Sequence, residues 1–119
     1  MKRSIAKRLH DALTASTEIS MFVAGESEQS FLSDRKLQLA LERLLTILGE
    51  ALAQARNEDP TLVETLPEVS QIVGMRNRIV HVYDGVDMRL MWQVVSQRVP
   101  DFLPKLEGVL ATALIEDDQ

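Results

Sequence analysis

The chain has 119 residues, of which 45% are hydrophobic, and its formal net charge is −5 at pH 7. This length predicts one domain over residues 1–119. We expect the protein to be cytoplasmic, because no apolar run is long enough to cross a bilayer and the polar N-terminus lacks the apolar core of a signal peptide. The absence of cysteine excludes disulfides and thiolate metal sites. The net negative charge argues against broad, non-specific binding of nucleic acid.

Two long helices are predicted in the first half of the chain. Apolar residues recur at helical spacing over residues 4–23, and Gly25 follows in the manner of a helix C-terminus. The second helix, over residues 33–56, has a longer apolar stripe, and either Ser33 or Asp34 can cap its first turn.

A glycine, Gly49, lies inside the apolar stripe of the second helix. Glycine in a helix interior costs about 1 kcal/mol relative to alanine. We therefore expect another helix to approach the backbone closely at this position.

Three further helices are predicted in the second half. The third begins at Pro67 and extends to residue 83, where its apolar residues still follow helical spacing. The fourth begins at Asp87, a good cap, and breaks near Pro100, and the last begins at Asp101. Amphipathic helices joined by short loops predict an all-α, up-down helical bundle.

The side chains that could take part in a reaction lie together on the third helix, in the stretch Gly74-Met75-Arg76-Asn77-Arg78-Ile79-Val80-His81-Val82-Tyr83. Asn77 and His81 are four residues apart and share a helix face, with Arg76 beside Asn77. Histidine exchanges a proton near neutral pH, an arginine fork binds phosphate and stabilises developing charge, and asparagine can orient either group.

Metal-independent RNA cleavage needs a base for the ribose 2′-OH, a cation for the phosphorane and an acid for the leaving oxygen. One copy of this motif supplies too few groups, whereas two copies facing each other across a two-fold interface supply enough. By spacing alone, a polar helix face of this kind is more often simply solvated.

The stretch from Arg76 to Tyr83 resembles the Arg–four residues–His–X–Tyr signature of HEPN toxins, and Asn77 fits the family's preference for a polar residue after the arginine. The similarity covers most of the chain. It extends to Asp34-Arg35, Ile47-Leu48-Gly49-Glu50-Ala51, Ile72-Val73-Gly74-Met75, and Val86-Asp87 with Trp92.

This resemblance implies a HEPN bundle of four to five helices that dimerises through the face carrying the motif. Arg76 and His81 would cleave RNA at the dimer cleft, with Asn77 assisting and without metal or cofactor. Arg78 and Glu50 would be supporting residues.

The resemblance also implies a partner. The protein would be the toxin of a type VII-like toxin–antitoxin pair, neutralised when a minimal nucleotidyltransferase antitoxin transfers AMP to Tyr83. The nucleotidyltransferase, rather than this chain, would hold ATP and magnesium.

Two other functions remain open at this point. The protein could be a non-catalytic adaptor subunit that binds a nucleotide or the nucleotidyltransferase, which the net acidity mildly favours, or a structural dimer with an incidental polar face. Individual residues also have simpler interpretations: the ring of Tyr83 could pack in the core, Glu50 could be a solvated charge, and Trp92 is more typical of core or interface packing than of base stacking.

Overall fold

The computed structural model describes the backbone of residues 1–81 and 85–117, and side chains as far as Ala113 within these ranges. These residues form helices and no strand, which confirms the predicted all-α class. None of the described helices is both long and apolar enough to span a membrane. The elements are α1 (Arg3–Val23), α2 (Glu28–Leu32), α3 (Arg35–Glu58), α4 (Leu62–Thr65), α5 (Glu68–His81), α6 (Met88–Gln93), a π-helical segment (Val94–Arg98) and α7 (Val99–Asp117).

Aspartate caps fix the starts of two helices, as the sequence predicted. The Asp34 Oδ1 atom accepts a hydrogen bond from the backbone N–H of Leu37 at 3.1 Å and caps α3. Asp87 caps α6 by accepting from the N–H groups of Arg89 and Leu90 at 3.0 and 3.1 Å. Each carboxylate satisfies N–H groups that have no partner within the first helical turn.

The short helix α2 was not predicted from the sequence. Gly25, with φ of 77°, turns the chain after α1, and the Ser27 and Ser30 side chains then accept hydrogen bonds from each other's backbone N–H groups. The fully buried Phe31 anchors this helix, and Trp92 of α6 stacks on it with ring centroids 5.3 Å apart. Trp92 therefore has a packing role, in line with the expectation for this residue.

The long helices alternate in direction, which agrees with the predicted up-down bundle. The antiparallel pair α1 and α3 is joined at one end by a hydrogen bond from Ser4 Oγ to Glu58 Oε2 at 2.8 Å. Helix α5 packs on another side of α3, and α7 packs against α1 and α5. The largest fully buried side chains are Phe31, Phe102, Leu9, Ile19, Leu41, Leu45, Leu48, Leu52, Leu66, Ile72, Met75 and Met91.

The predicted helix break near Pro100 is wrong, because α6 continues through the π-helical segment into α7. A proline ring inside an α-helix clashes with the carbonyl four residues earlier, which here is that of Ser96. That residue lies in the π-helical segment, where the turn is wider and the N–H of Val99 bonds to the carbonyl of Val94, five residues back. The wider turn accommodates Pro100, so the last helix begins at Val99 rather than at Asp101.

Candidate active site

Helix α5 carries most of the residues that the sequence singled out, and it divides them between two faces. Its buried side consists of Val69, Ile72, Val73 and Met75. On the opposite side, Asn77, Arg78 and His81 are exposed to solvent. Asn77 and His81 are one helical turn apart, so their side chains are neighbours on this surface.

Arg76 is placed differently from Asn77 and His81. About 100° per residue puts it roughly 140° around the helix from His81. Its side chain is half-buried toward α3, and its buried Nε atom has no hydrogen-bond partner among the described residues. Helical spacing predicts that Arg76 shares the polar face with Asn77 and His81, and in the structure only the tip of the Arg76 side chain reaches that face.

A hydrogen bond turns the tip of Arg76 back toward the exposed face. Arg76 Nη1 donates to Asn77 Oδ1 at 2.5 Å. Because Asn77 is one turn from His81, the guanidinium, the amide and the imidazole follow each other across the surface of one helix. A cation and a group able to exchange protons are thereby offered to the same solvent-accessible region.

Gly49 of α3 makes the position of Arg76 possible. A Cβ atom added at Gly49 would lie 2.7 Å from Arg76 Cγ and still closer to Arg76 Cβ. Real Cβ atoms do not approach other heavy atoms so closely. The two atoms that it would meet belong to the base of the arginine side chain, which cannot move aside as a flexible tip can. The close helix–helix approach predicted at Gly49 is therefore confirmed, and the group that approaches is Arg76.

One of the predicted supporting residues, Glu50, lies apart from Arg76. Glu50 is exposed and lines a cleft between α1 and α3 together with Arg8, and no hydrogen bond or ion pair joins it to Arg76. Tyr83, the predicted AMP acceptor, lies outside the described residues. Within residues 1–81 and 85–117, no group of three or more His, Cys, Asp or Glu side chains is placed to hold a metal ion.

Comparison with known proteins gives one consistent result. The model of a family described as ribonuclease HepT-like matches residues 12–109. The chain is similar to a probable ribonuclease HepT of Thermococcus cleftensis, with 35% identity over 107 residues, covering 90% of this chain and 96% of that protein.

It is also similar to a putative RNase of Methanocaldococcus jannaschii, with 30% identity over 110 residues, covering 91% of this chain and 98% of that protein. A putative RNase of Caldanaerobacter subterraneus is 31% identical over 88 residues, which cover 74% of this chain and 78% of that protein. No solved structure gives a significant match.

The contact between Gly49 and Arg76 predicts an unusual response to alanine. Alanine normally stabilises a helix by about 1 kcal/mol relative to glycine. We expect Gly49→Ala instead to lower the free energy of unfolding by about 1–3 kcal/mol, the usual cost of overpacking. Urea unfolding measures both effects. Gly108→Ala in α7 is the matched control, because a Cβ there meets nothing within 4 Å and should be stabilising. Equal stabilisation by both substitutions would contradict the proposed packing.

Proposed function

This chain belongs to the HepT-like ribonuclease family, and we propose that it is a metal-independent endoribonuclease that cuts RNA with Arg76 and His81. One observation carries this assignment of residues: the hydrogen bond from Arg76 to Asn77, which turns the guanidinium toward the exposed face of α5. Asn77 in turn lies one helical turn from His81. The remaining elements of the proposal follow from the chemistry of these side chains.

In the proposed reaction, His81 accepts the proton of the ribose 2′-OH. The 2′ oxygen then forms a bond to the adjacent phosphorus, and the bond from phosphorus to the 5′ oxygen breaks. The products are a 2′,3′-cyclic phosphate and a 5′-OH that has received a proton from an acid. Arg76 stabilises the negative charge that develops on the phosphorane, and Asn77 orients the guanidinium.

The acid for the leaving oxygen is the reason to propose a homodimer. The motif of one copy contains one histidine, so a second His81, from a copy related by a two-fold axis, would supply the second proton-transfer group. An exposed apolar side chain on α5 supports this arrangement. Val80 is 44% exposed next to His81, and a dimer formed through this face would cover it.

We further propose that the enzyme is a toxin controlled by a nucleotidyltransferase. Tyr83 follows His81 by two residues in the sequence. Transfer of AMP from ATP to its hydroxyl, with release of pyrophosphate, would place a bulky anion beside the catalytic residues. That anion would repel the RNA backbone and pair with the arginines, which switches cleavage off.

Replacing His81 tests the catalytic assignment. We expect His81→Ala to lower the rate of cleavage of single-stranded RNA by about 10²–10⁴-fold, the usual contribution of a general acid or base. Circular dichroism should show unchanged helix content, since the side chain is exposed. Light scattering should establish that the variant associates like the wild type, so that a lost dimer is not mistaken for lost chemistry. His10→Ala is the matched control, because His10 is also exposed and lies on α1. Equal cleavage rates for the two variants would remove His81 from the mechanism.

Mass spectrometry tests the proposed switch. After co-expression with the proposed nucleotidyltransferase partner, we expect the intact chain to gain the mass of AMP and to lose RNA cleavage. Tyr83→Phe should gain no mass, because Tyr83 is the sole tyrosine in the sequence. AMP found on another residue, or full mass gain in Tyr83→Phe, would contradict the assignment.

A further inference from the structure

A second cleft lies beside the exposed face of α5, between this helix and the segment that runs from α6 into the π-helical turn. Its volume is about 280 Å³, and Met75, Leu90 and Val94 form its apolar floor. We propose that this cleft binds one nucleotide of the RNA substrate, adjacent to the bond that is cut. The proposal rests on the proposed ribonuclease function and adds a substrate-binding site to it.

The rim of the cleft carries two arginines and two glutamines. Arg78 and Arg98 line it, together with Gln71 and Gln93. Among the described residues, none of these four side chains takes part in a hydrogen bond or ion pair, and the lining contains no acid. Two guanidinium groups without a partner among the described residues, in one small cleft of a chain with net charge −5, favour an anionic ligand, and the arginine fork matches the geometry of phosphate.

An adjoining cleft shares Gln71 and Arg98 with this one, and its described lining also contains two acids, Glu68 and Asp101. Glu68 bonds to Lys105 of α7, so its charge is already compensated. Asp101 is exposed, where water screens it. Among the described residues, neither acid forms an ion pair with Arg78 or Arg98.

Gly74 independently supports a ligand in this cleft, because the packing of the helices does not require a glycine at this position. It lies in the interior of α5 and lines the cleft, and a Cβ atom at this position would meet nothing within 4 Å. Glycine nevertheless costs about 1 kcal/mol in a helix interior. Whereas Gly49 is explained by Arg76, Gly74 is explained by a ligand that comes close to the helix backbone.

The position of the cleft relative to His81 suggests which part of the substrate it holds. Gly74, Arg78 and His81 follow each other at spacings of four and three residues, so they form one row along α5, with Cβ atoms of neighbours about 5–6 Å apart. An RNA strand seated in the cleft therefore continues to His81. The apolar floor suits a base, the arginines suit its phosphate, and the two glutamines can bond to base edges.

The π-helical segment helps to position these groups. Gln93 immediately precedes it and Arg98 is its last residue, so the wide turn sets their spacing around the cleft. Segments of this kind are frequent at functional sites. The same irregularity that lets the helix pass Pro100 thus also shapes the rim.

The test uses a fluorescent 2′-O-methyl oligoribonucleotide, which cannot be cleaved because its 2′ oxygens carry no proton. We expect Arg98→Gln to raise its Kd about tenfold, as the loss of one charged hydrogen bond predicts. The slope of log K against log salt should fall by about 0.7, the value for one phosphate contact on a single strand. Arg3→Gln is the matched control, because Arg3 is exposed and lines none of the described clefts.

A second pair of variants tests whether the RNA needs the open space that Gly74 leaves in the cleft. We expect Gly74→Leu to fill the cleft and weaken binding without lowering the free energy of unfolding, whereas Gly108→Leu should leave binding unchanged. With cleavable RNA, both cleft variants should raise KM and retain kcat, because Arg76 and His81 are intact.

The outcomes separate this inference from the proposed function. If the wild type cleaves RNA but the cleft variants keep the wild-type Kd and salt slope, the cleft is not a nucleotide site and the ribonuclease proposal stands. If the wild type neither binds nor cleaves RNA, both proposals fall. If Arg98→Gln binds RNA normally but no longer binds the nucleotidyltransferase, the cleft recognises a protein and the assignment to RNA is overturned.

Discussion

The packing of Arg76 against the bare backbone of Gly49 is the contact on which the candidate site depends. Helix α3 is held in the core by a long stripe of leucines, and the missing side chain at Gly49 leaves room on it for the root of an arginine from α5. This arrangement costs stability twice. A glycine interrupts a helix, at about 1 kcal/mol, and a buried Nε lacks a partner, at about 1–3 kcal/mol. Costs of this kind are tolerated where function requires them.

Helix α5 serves three purposes because its residues point in different directions. One side packs in the core, the side toward α3 holds the stem of Arg76, and the exposed side carries Asn77 and His81. The cleft at Arg78 continues this exposed side toward the π-helical segment. The proposed reaction and the proposed nucleotide site therefore use adjacent parts of one helix surface, and α3 and α6 frame them.

Features with a local physical cause were predictable from the sequence. The caps at Asp34 and Asp87 depend on one side chain and the next turn, and the close approach at Gly49 followed from a glycine in an apolar stripe. Features that depend on the whole fold were not. Helix α2 has too few residues for a periodic pattern and is held by the burial of Phe31.

Other features could not be predicted for the same reason, since they too depend on how the helices pack. The passage of the helix through Pro100 depends on a π turn that no apolar pattern signals. Spacing placed Arg76 beside Asn77, but its burial against α3 required knowledge of which helix packs there. The cleft proposed to bind a nucleotide likewise combines Arg78 with Arg98, which are 20 residues apart in the sequence and line one cleft because α5 packs against the π-helical segment.

In the proposed mechanism, Gly49 positions Arg76 for catalysis. The single-turnover rate of RNA cleavage by Gly49→Ala tests it most directly, measured at a temperature at which circular dichroism shows the variant to be folded. A displaced guanidinium should reduce this rate to that of Arg76→Ala. A rate equal to that of the wild type would contradict the account, because Arg76 would then act without the contact described for it.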